Sequence, residues 1–168
     1  MATPDLTDLL TADHRRVARL LSSGAPAREL VGELSSHLVA EAQVLYPALR
    51  AHLAGATSAV DGLVATDHRL EEVLTELDRG GTGAVDELAE LFARHVSEQE
   101  RLFPQLREAA GDEELSRLGE ALGPVVMEAP THPHPHLPRE GRLEVIADSV
   151  ASTVDHLRDA LRRDEHRD

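Results

Sequence analysis

From Leu6 to about Ala110, apolar residues return every three to four positions, and the breaks in that rhythm fall where Gly and Pro gather. The period predicts four helices. They run from about Thr7 to Ser22, from about Ala27 to Leu53, from Ser58 to Asp78 and from Ala84 to Ala110. The first stops at Ser22-Ser23-Gly24-Ala25-Pro26 and the last follows Gly80-Gly81-Thr82-Gly83. Short Gly-rich connections make sequential helices antiparallel, so the expected fold class is all-α, an up-down-up-down four-helix bundle over residues 1–110.

After Ala110 the pattern changes. A short helix from about Glu113 to Leu122 leads into Pro124 to Gly141, which holds five of the nine prolines and the run His132-Pro133-His134-Pro135-His136. Residues 111–141 are therefore expected to be a short helix followed by an extended Pro-rich strap. Leu143, Ile146, Val150, Val154, Leu157 and Leu161 then resume the three- and four-residue spacing, so 142–168 reads as a C-terminal amphipathic helix. It needs an apolar surface to lie against. The bundle would serve, and so would a second subunit in a homodimer; the pattern does not choose.

Composition narrows the function classes. The chain has 168 residues, 41% apolar and 29% charged, which suits one soluble domain. With no Trp, one Tyr and two Phe, its core must be Leu, Val and Ala, which favours helices over a β-sandwich. Seventeen basic against thirty-one acidic residues give a net charge of −14, which repels nucleic acid and anionic lipid, so neither is an expected partner. The absence of Cys excludes disulfides, thiolate zinc sites, iron–sulfur clusters and covalent c-type haem. Any metal must sit on His and carboxylates. The first residues carry Asp5 and Asp8 rather than a basic, then apolar, leader, and no stretch is long enough to cross a bilayer, so a cytoplasmic location is expected.

The chain also repeats itself. Thr11-Ala12-Asp13-His14-Arg15 returns as Ala65-Thr66-Asp67-His68-Arg69, and the stretch His37 to Arg50, with Glu41 and Tyr46-Pro47, is echoed by His95 to Arg107, with Glu98, Glu100 and Phe103-Pro104. Each half is one helical hairpin. Pro47 and Pro104 are expected to bend their helices a turn or two beyond the His/Glu motif. Four of the ten His, namely His14, His37, His68 and His95, fall one per predicted helix.

Residues four apart on a helix differ by about 40° around its axis, so His37 and Glu41 point the same way, as do His68 and Glu72. One such pair is ordinarily a solvated i,i+4 contact. Four His and several Glu converging inside a bundle would instead satisfy one another through metal. Imidazole and carboxylate without thiolate suit iron, manganese or zinc, and more than about six protein ligands imply two ions. Filling two octahedra from this set leaves roughly one position open, where dioxygen, peroxide or nitric oxide would bind.

His14, then His37-x3-Glu41-x4-Tyr46-Pro47, then His68-x3-Glu72, then His95 with Glu98 and Glu100 before Phe103-Pro104, resembles the hemerythrin-like family with its HHE cation-binding repeats. The resemblance covers about Leu6 to Leu106, and Ala129 to His136 is similar to the segment after the bundle in many bacterial relatives. It implies a carboxylate-bridged, non-haem di-iron centre: two iron ions with an oxo or hydroxo bridge. Carried over residue by residue, His14, His37, His68 and His95 match the family's His ligands and Glu41 a bridging carboxylate. Glu72 stands where the oxygen carriers have a fifth His, which makes the site harder and more anionic and counts against reversible oxygen carriage. On the fourth helix the residue four after His95 is the poor ligand Gln99. Alignment on the two aromatic-Pro pairs selects Glu98, whereas the family's usual place is Glu100, which would need a local π-bulge to face the metal. Both stay in the candidate set.

The leading expectation is a di-iron protein that binds, turns over or senses dioxygen, peroxide or nitric oxide, or senses iron, without a protein nucleophile. The alternatives are a helical interaction module without catalytic metal and a structural zinc-binding bundle. Tyr46 is expected to pack at its kink or serve near iron, and His134 and His136 to lie in the strap or collect metal.

Overall fold

The computed structural model describes residues 4–81 and 83–128, and their regular structure is helical, with no strand. Each helical stretch expected from the hydrophobic period is present. Helix α1, Leu6–Ser23, opens with Asp5 accepting from the Asp8 backbone N–H at 3.0 Å. That satisfies one of the amide groups every helix start leaves without an internal partner. It closes at Gly24, whose φ of 69° lets the Ala25 N–H turn back to the Leu20 carbonyl at 3.1 Å.

The second stretch is not a uniform helix. Helix α2, Ala27–Ala40, passes into a π-helical segment, Glu41–Leu45, and then into α3, Tyr46–His52. Pro47 explains the change. Its ring cannot donate a hydrogen bond and crowds the carbonyl four residues earlier, so the disturbance falls upstream of the proline. The Tyr46 N–H consequently reaches five residues back, to the Glu41 carbonyl. The irregularity thus begins at the His/Glu motif itself rather than a turn or two beyond it. Pro104 acts differently: α5, Ala84–Glu100, ends, two turn residues follow, and α6, Phe103–Ala110, starts with the proline in its first turn, where no N–H is required.

Helix α4, Thr57–Asp78, lies against α5, and α1, α2, α4 and α5 share one apolar cluster that includes Val17, Leu34, Leu70, Leu74, Leu88 and Phe92. Full burial of a side chain such as Leu stabilises a fold by about 1.5–3 kcal/mol, so this layer fixes which face of each helix turns inward. Helix α7, Asp112–Glu128, packs on α1, α2 and α6. It comes so close to the chain entering α1 that a Cβ on Gly119 would sit 3.0 Å from the Leu6 backbone nitrogen. Arg107 of α6 closes the same corner on Asp5, at 2.5 and 3.1 Å, and on Asp8 at 2.6 Å.

Helix α7 is longer than expected. Its backbone stays helical through Pro124, where an extended strap was predicted to begin, because a proline forfeits one helical hydrogen bond without forcing the flanking residues out of the helix. The rest of the strap, with His134 and His136, and the amphipathic helix of 142–168 lie outside the described residues. No helix among the described residues is long and apolar enough to cross a membrane.

Candidate metal centre

On the inward faces of α1, α2, α4 and α5 the apolar rows are interrupted by polar side chains. Leu6, Leu10, His14 and Val17 follow one another down α1, and Leu30, Leu34 and His37 lead down α2 to Glu41. Val60, Leu63, Asp67, Leu70, Leu74 and Leu77 line α4, while Leu88, Phe92, His95 and Gln99 line α5. The interruptions meet in a buried cluster of His14, His37, Glu41, Asp67, His95 and Gln99, none more than 2% exposed.

Glu41 stands at its centre. Its Oε1 lies 2.7 Å from His37 Nε2 and 3.7 Å from His14 Nε2, and it accepts from the Gln99 amide at 2.7 Å. Its Oε2 meets His95 Nε2 at 2.9 Å and accepts from the Tyr46 hydroxyl at 3.2 Å. Tyr46 also donates to Asp67 Oδ2 at 2.5 Å, and Asp67 Oδ1 lies 3.2 Å from His95 Nδ1. Two groups of potential metal ligands result, His14 with His37 and Glu41, and Glu41 with Asp67 and His95. Phe92 lies edge-on to His14 and His37, and Phe103 stacks on His14.

Two imidazoles are held from behind. His14 Nδ1–H donates to Glu100 at 2.8 Å and His37 Nδ1–H to Asp13 at 2.7 Å. A carboxylate only accepts, so in each neutral imidazole the nitrogen turned toward Glu41 carries the lone pair. Five buried atoms at the cluster make no hydrogen bond: His14 Nε2, His37 Nε2, Asp67 Oδ1, His95 Nδ1 and Gln99 Oε1. Each such atom costs about 1–3 kcal/mol when left without a partner. Lone pairs gathered around one carboxylate are what a divalent cation satisfies, so this donor set fits a metal.

The electrostatics of the metal-free cluster are strained in the same sense. Burial opposes charge on His37, yet Glu41 and Asp13 outweigh it and carry its pKa up to about 10. His95 is also raised, with Glu41 overcoming its burial. Burial would lift Glu41, but His37 and His95 hold its pKa well below the usual carboxylate range. Asp67 goes the other way, because burial and then the Glu41 charge push it up to about 8. Burial and the same two carboxylates raise Tyr46 well above an ordinary phenol. Protons here occupy places that cations would take.

Residues 5–106 match the sequence model of the hemerythrin HHE cation binding domain. The chain belongs to the hemerythrin HHE cation-binding family. It is also 25% identical, over 94% of its length and 87% of the relative's, to an uncharacterized hemerythrin-like protein of Schizosaccharomyces pombe. No solved structure matches it.

Within this HHE domain the eight sequence-predicted residues separate. His14, His37, Glu41 and His95 come together, and Glu100 touches the group through His14. His68 and Glu72 do not join it. Both are exposed, and Glu72 pairs with Arg69 at 2.9 Å. Adjacent helical residues are about 100° apart, so with Asp67 turned inward His68 must face out. Glu98 is half-buried and lies outside both ligand groups; Gln99 holds the inward place on α5. The π segment sits on the Glu41 side rather than at Glu100. Asp67 was missed although two signals mark it: it fills the gap in the α4 apolar row, and the repeat pairs it with Asp13.

Proposed function

We propose that this HHE domain is a non-haem di-iron protein that binds, turns over or senses dioxygen, hydrogen peroxide or nitric oxide, with Glu41 bridging two iron ions. The observation that carries the reading is the single buried carboxylate shared by two groups of unpartnered donors. In this reading the helices run up-down-up-down around the cluster, joined by short connections. His14 and His37 would serve one ion and Asp67 and His95 the other. Bound iron would supply redox chemistry and open positions for the small ligand.

The chain's own residues do the rest. Asp13 and Glu100 orient His37 and His14, Gln99 and Tyr46 hold the Glu41 carboxylate by hydrogen bonds, and Phe92 and Phe103 exclude water from the imidazoles. Five protein ligands fill fewer of the roughly twelve positions of two octahedra than the eight expected from sequence, which leaves more room for exogenous ligand. The carboxylate that counts against reversible carriage is Asp67 in place of Glu72.

Metal analysis of full-length protein expressed with iron available tests the reading, together with near-ultraviolet oxo-to-iron absorption. About two irons per chain support it. About two zinc ions would indicate a structural zinc bundle, and no metal a helical interaction module; either result overturns the proposal.

A further inference from the structure

The two ligand groups that meet at Glu41 differ in their donors and in what supports them. The first offers two imidazoles and one carboxylate, and each imidazole is fixed through Nδ1 by a carboxylate outside both groups, Glu100 for His14 and Asp13 for His37. Asp13 is itself anchored by Arg16 at 3.0 Å, and Arg16 also reaches Glu33. Such outer carboxylates fix ring orientation and raise the basicity of the metal-facing nitrogen.

The second group has one imidazole and two carboxylates. His95 Nδ1 faces Asp67, a member of its own group, so a cation and the imidazole compete for the same oxygens. The other Asp67 oxygen is engaged by the Tyr46 hydroxyl. Nitrogen donors favour borderline ions such as Fe2+, Co2+ and Zn2+, and oxygen donors suit harder ones such as Mn2+.

We infer that the two positions load unequally. The His14, His37 and Glu41 position takes a borderline divalent cation tightly, and the Glu41, Asp67 and His95 position takes a harder cation weakly and exchanges it. The chain therefore has a stable singly loaded form and accepts an unlike pair of metals. This rests on the reading that the cluster binds metal.

The test uses the full chain, stripped by chelator and titrated with Co2+ and then Mn2+. Cobalt visible absorption, manganese paramagnetic resonance and metal analysis after dialysis against chelator are the readouts. Two steps separated by at least about tenfold are expected, with one Co2+ per chain surviving a dialysis that removes Mn2+. Asp67→Asn, near-isosteric and checked for helicity by circular dichroism, should keep the tight Co2+ step and lose the Mn2+ step; His37→Gln should do the reverse. If a variant does not fold, the wild-type titration decides alone. Two indistinguishable steps, or an Asp67→Asn variant that weakens both equally, overturn the inequality and leave the metal reading standing. Binding no greater than that of Glu41→Gln overturns the metal reading and the inequality with it.

Discussion

Replacing Gln99 by Glu puts a carboxylate where an amide now donates to Glu41 Oε1 at 2.7 Å. Both side chains are 0% exposed, so water does not screen the change. In the metal-free chain the substitution removes a hydrogen bond to a charged group, about 1.5–3 kcal/mol. It also brings two acids together. Were both ionised about 3 Å apart, repulsion at an effective dielectric of about 20 would approach 5 kcal/mol, and one acid takes up a proton to limit it. The expected net loss is about 3–5 kcal/mol, or a fall in Tm of about 6–20 °C for a chain of this size.

A cation against Glu41 reverses the sign. The new carboxylate then becomes a ligand, and metal should raise the Tm of Gln99→Glu more than that of wild type, because binding to the native state alone stabilises it. Thermal unfolding by circular dichroism, with and without Fe2+ or Co2+, measures both parts. A metal-free variant that melts with wild type refutes the electrostatic reasoning. A metal-induced rise no larger than in wild type refutes the placement of a cation beside Glu41 and Gln99.

Glu72→His should leave metal content and oxygen reactivity unchanged, because Glu72 is 58% exposed and paired with Arg69; a gain of oxygen carriage in autoxidation assays would mean that α4 turns another face inward. Loading metal at pH 7 should release about two protons per chain, since His37 at about 10 and Asp67 at about 8 hold theirs until a cation displaces them. Calorimetry in buffers of different ionisation heat reads that number, and zero release contradicts it. The same shifts set the stability of the metal-free protein. The folded state binds both protons more tightly than the unfolded one, so the His37 contribution is complete below its unfolded value of 6.5 and fades as pH rises through about 10, and the Asp67 contribution fades as pH rises from 3.8 through about 8. Denaturant midpoints that climb between pH 7 and 10 would show the sign to be wrong. Gly119→Ala should cost about 1–3 kcal/mol in denaturant unfolding, because its new methyl would crowd the backbone at Leu6; wild-type stability would mean that α7 does not approach α1 this closely.

The helices and their approximate ends were legible because a period of three to four apolar positions is a direct imprint of one buried face. The His/Glu motif on α2 was legible for the same reason: His37 and Glu41 continue the row of Leu30 and Leu34. The α4 residues were misread because the repeated Asp-His pair drew attention to the better metal ligand of the two. Continuing the row from Val60 and Leu63 to Leu70 selects Asp67 and leaves His68 outside. On α5 the row from Leu88 and Phe92 through His95 arrives at Gln99, so neither Glu98 nor Glu100 continues it. Tertiary partners were beyond any period: nothing in residue spacing announces that Glu100 would hold His14 or that Arg107 would clasp Asp5.

Counting from each imidazole to its downstream proline gives ten residues for His37 to Pro47 and nine for His95 to Pro104, and the wider turns of Glu41–Leu45 absorb the surplus one. Removing a residue such as Gln43 would let that stretch tighten to an ordinary α-helix and swing everything after it by about 100°, carrying the Tyr46 hydroxyl away from both of its acids. Pattern searches for similar chains therefore need a one-residue tolerance at this place, since a rigid template drawn from one hairpin would overlook its own twin.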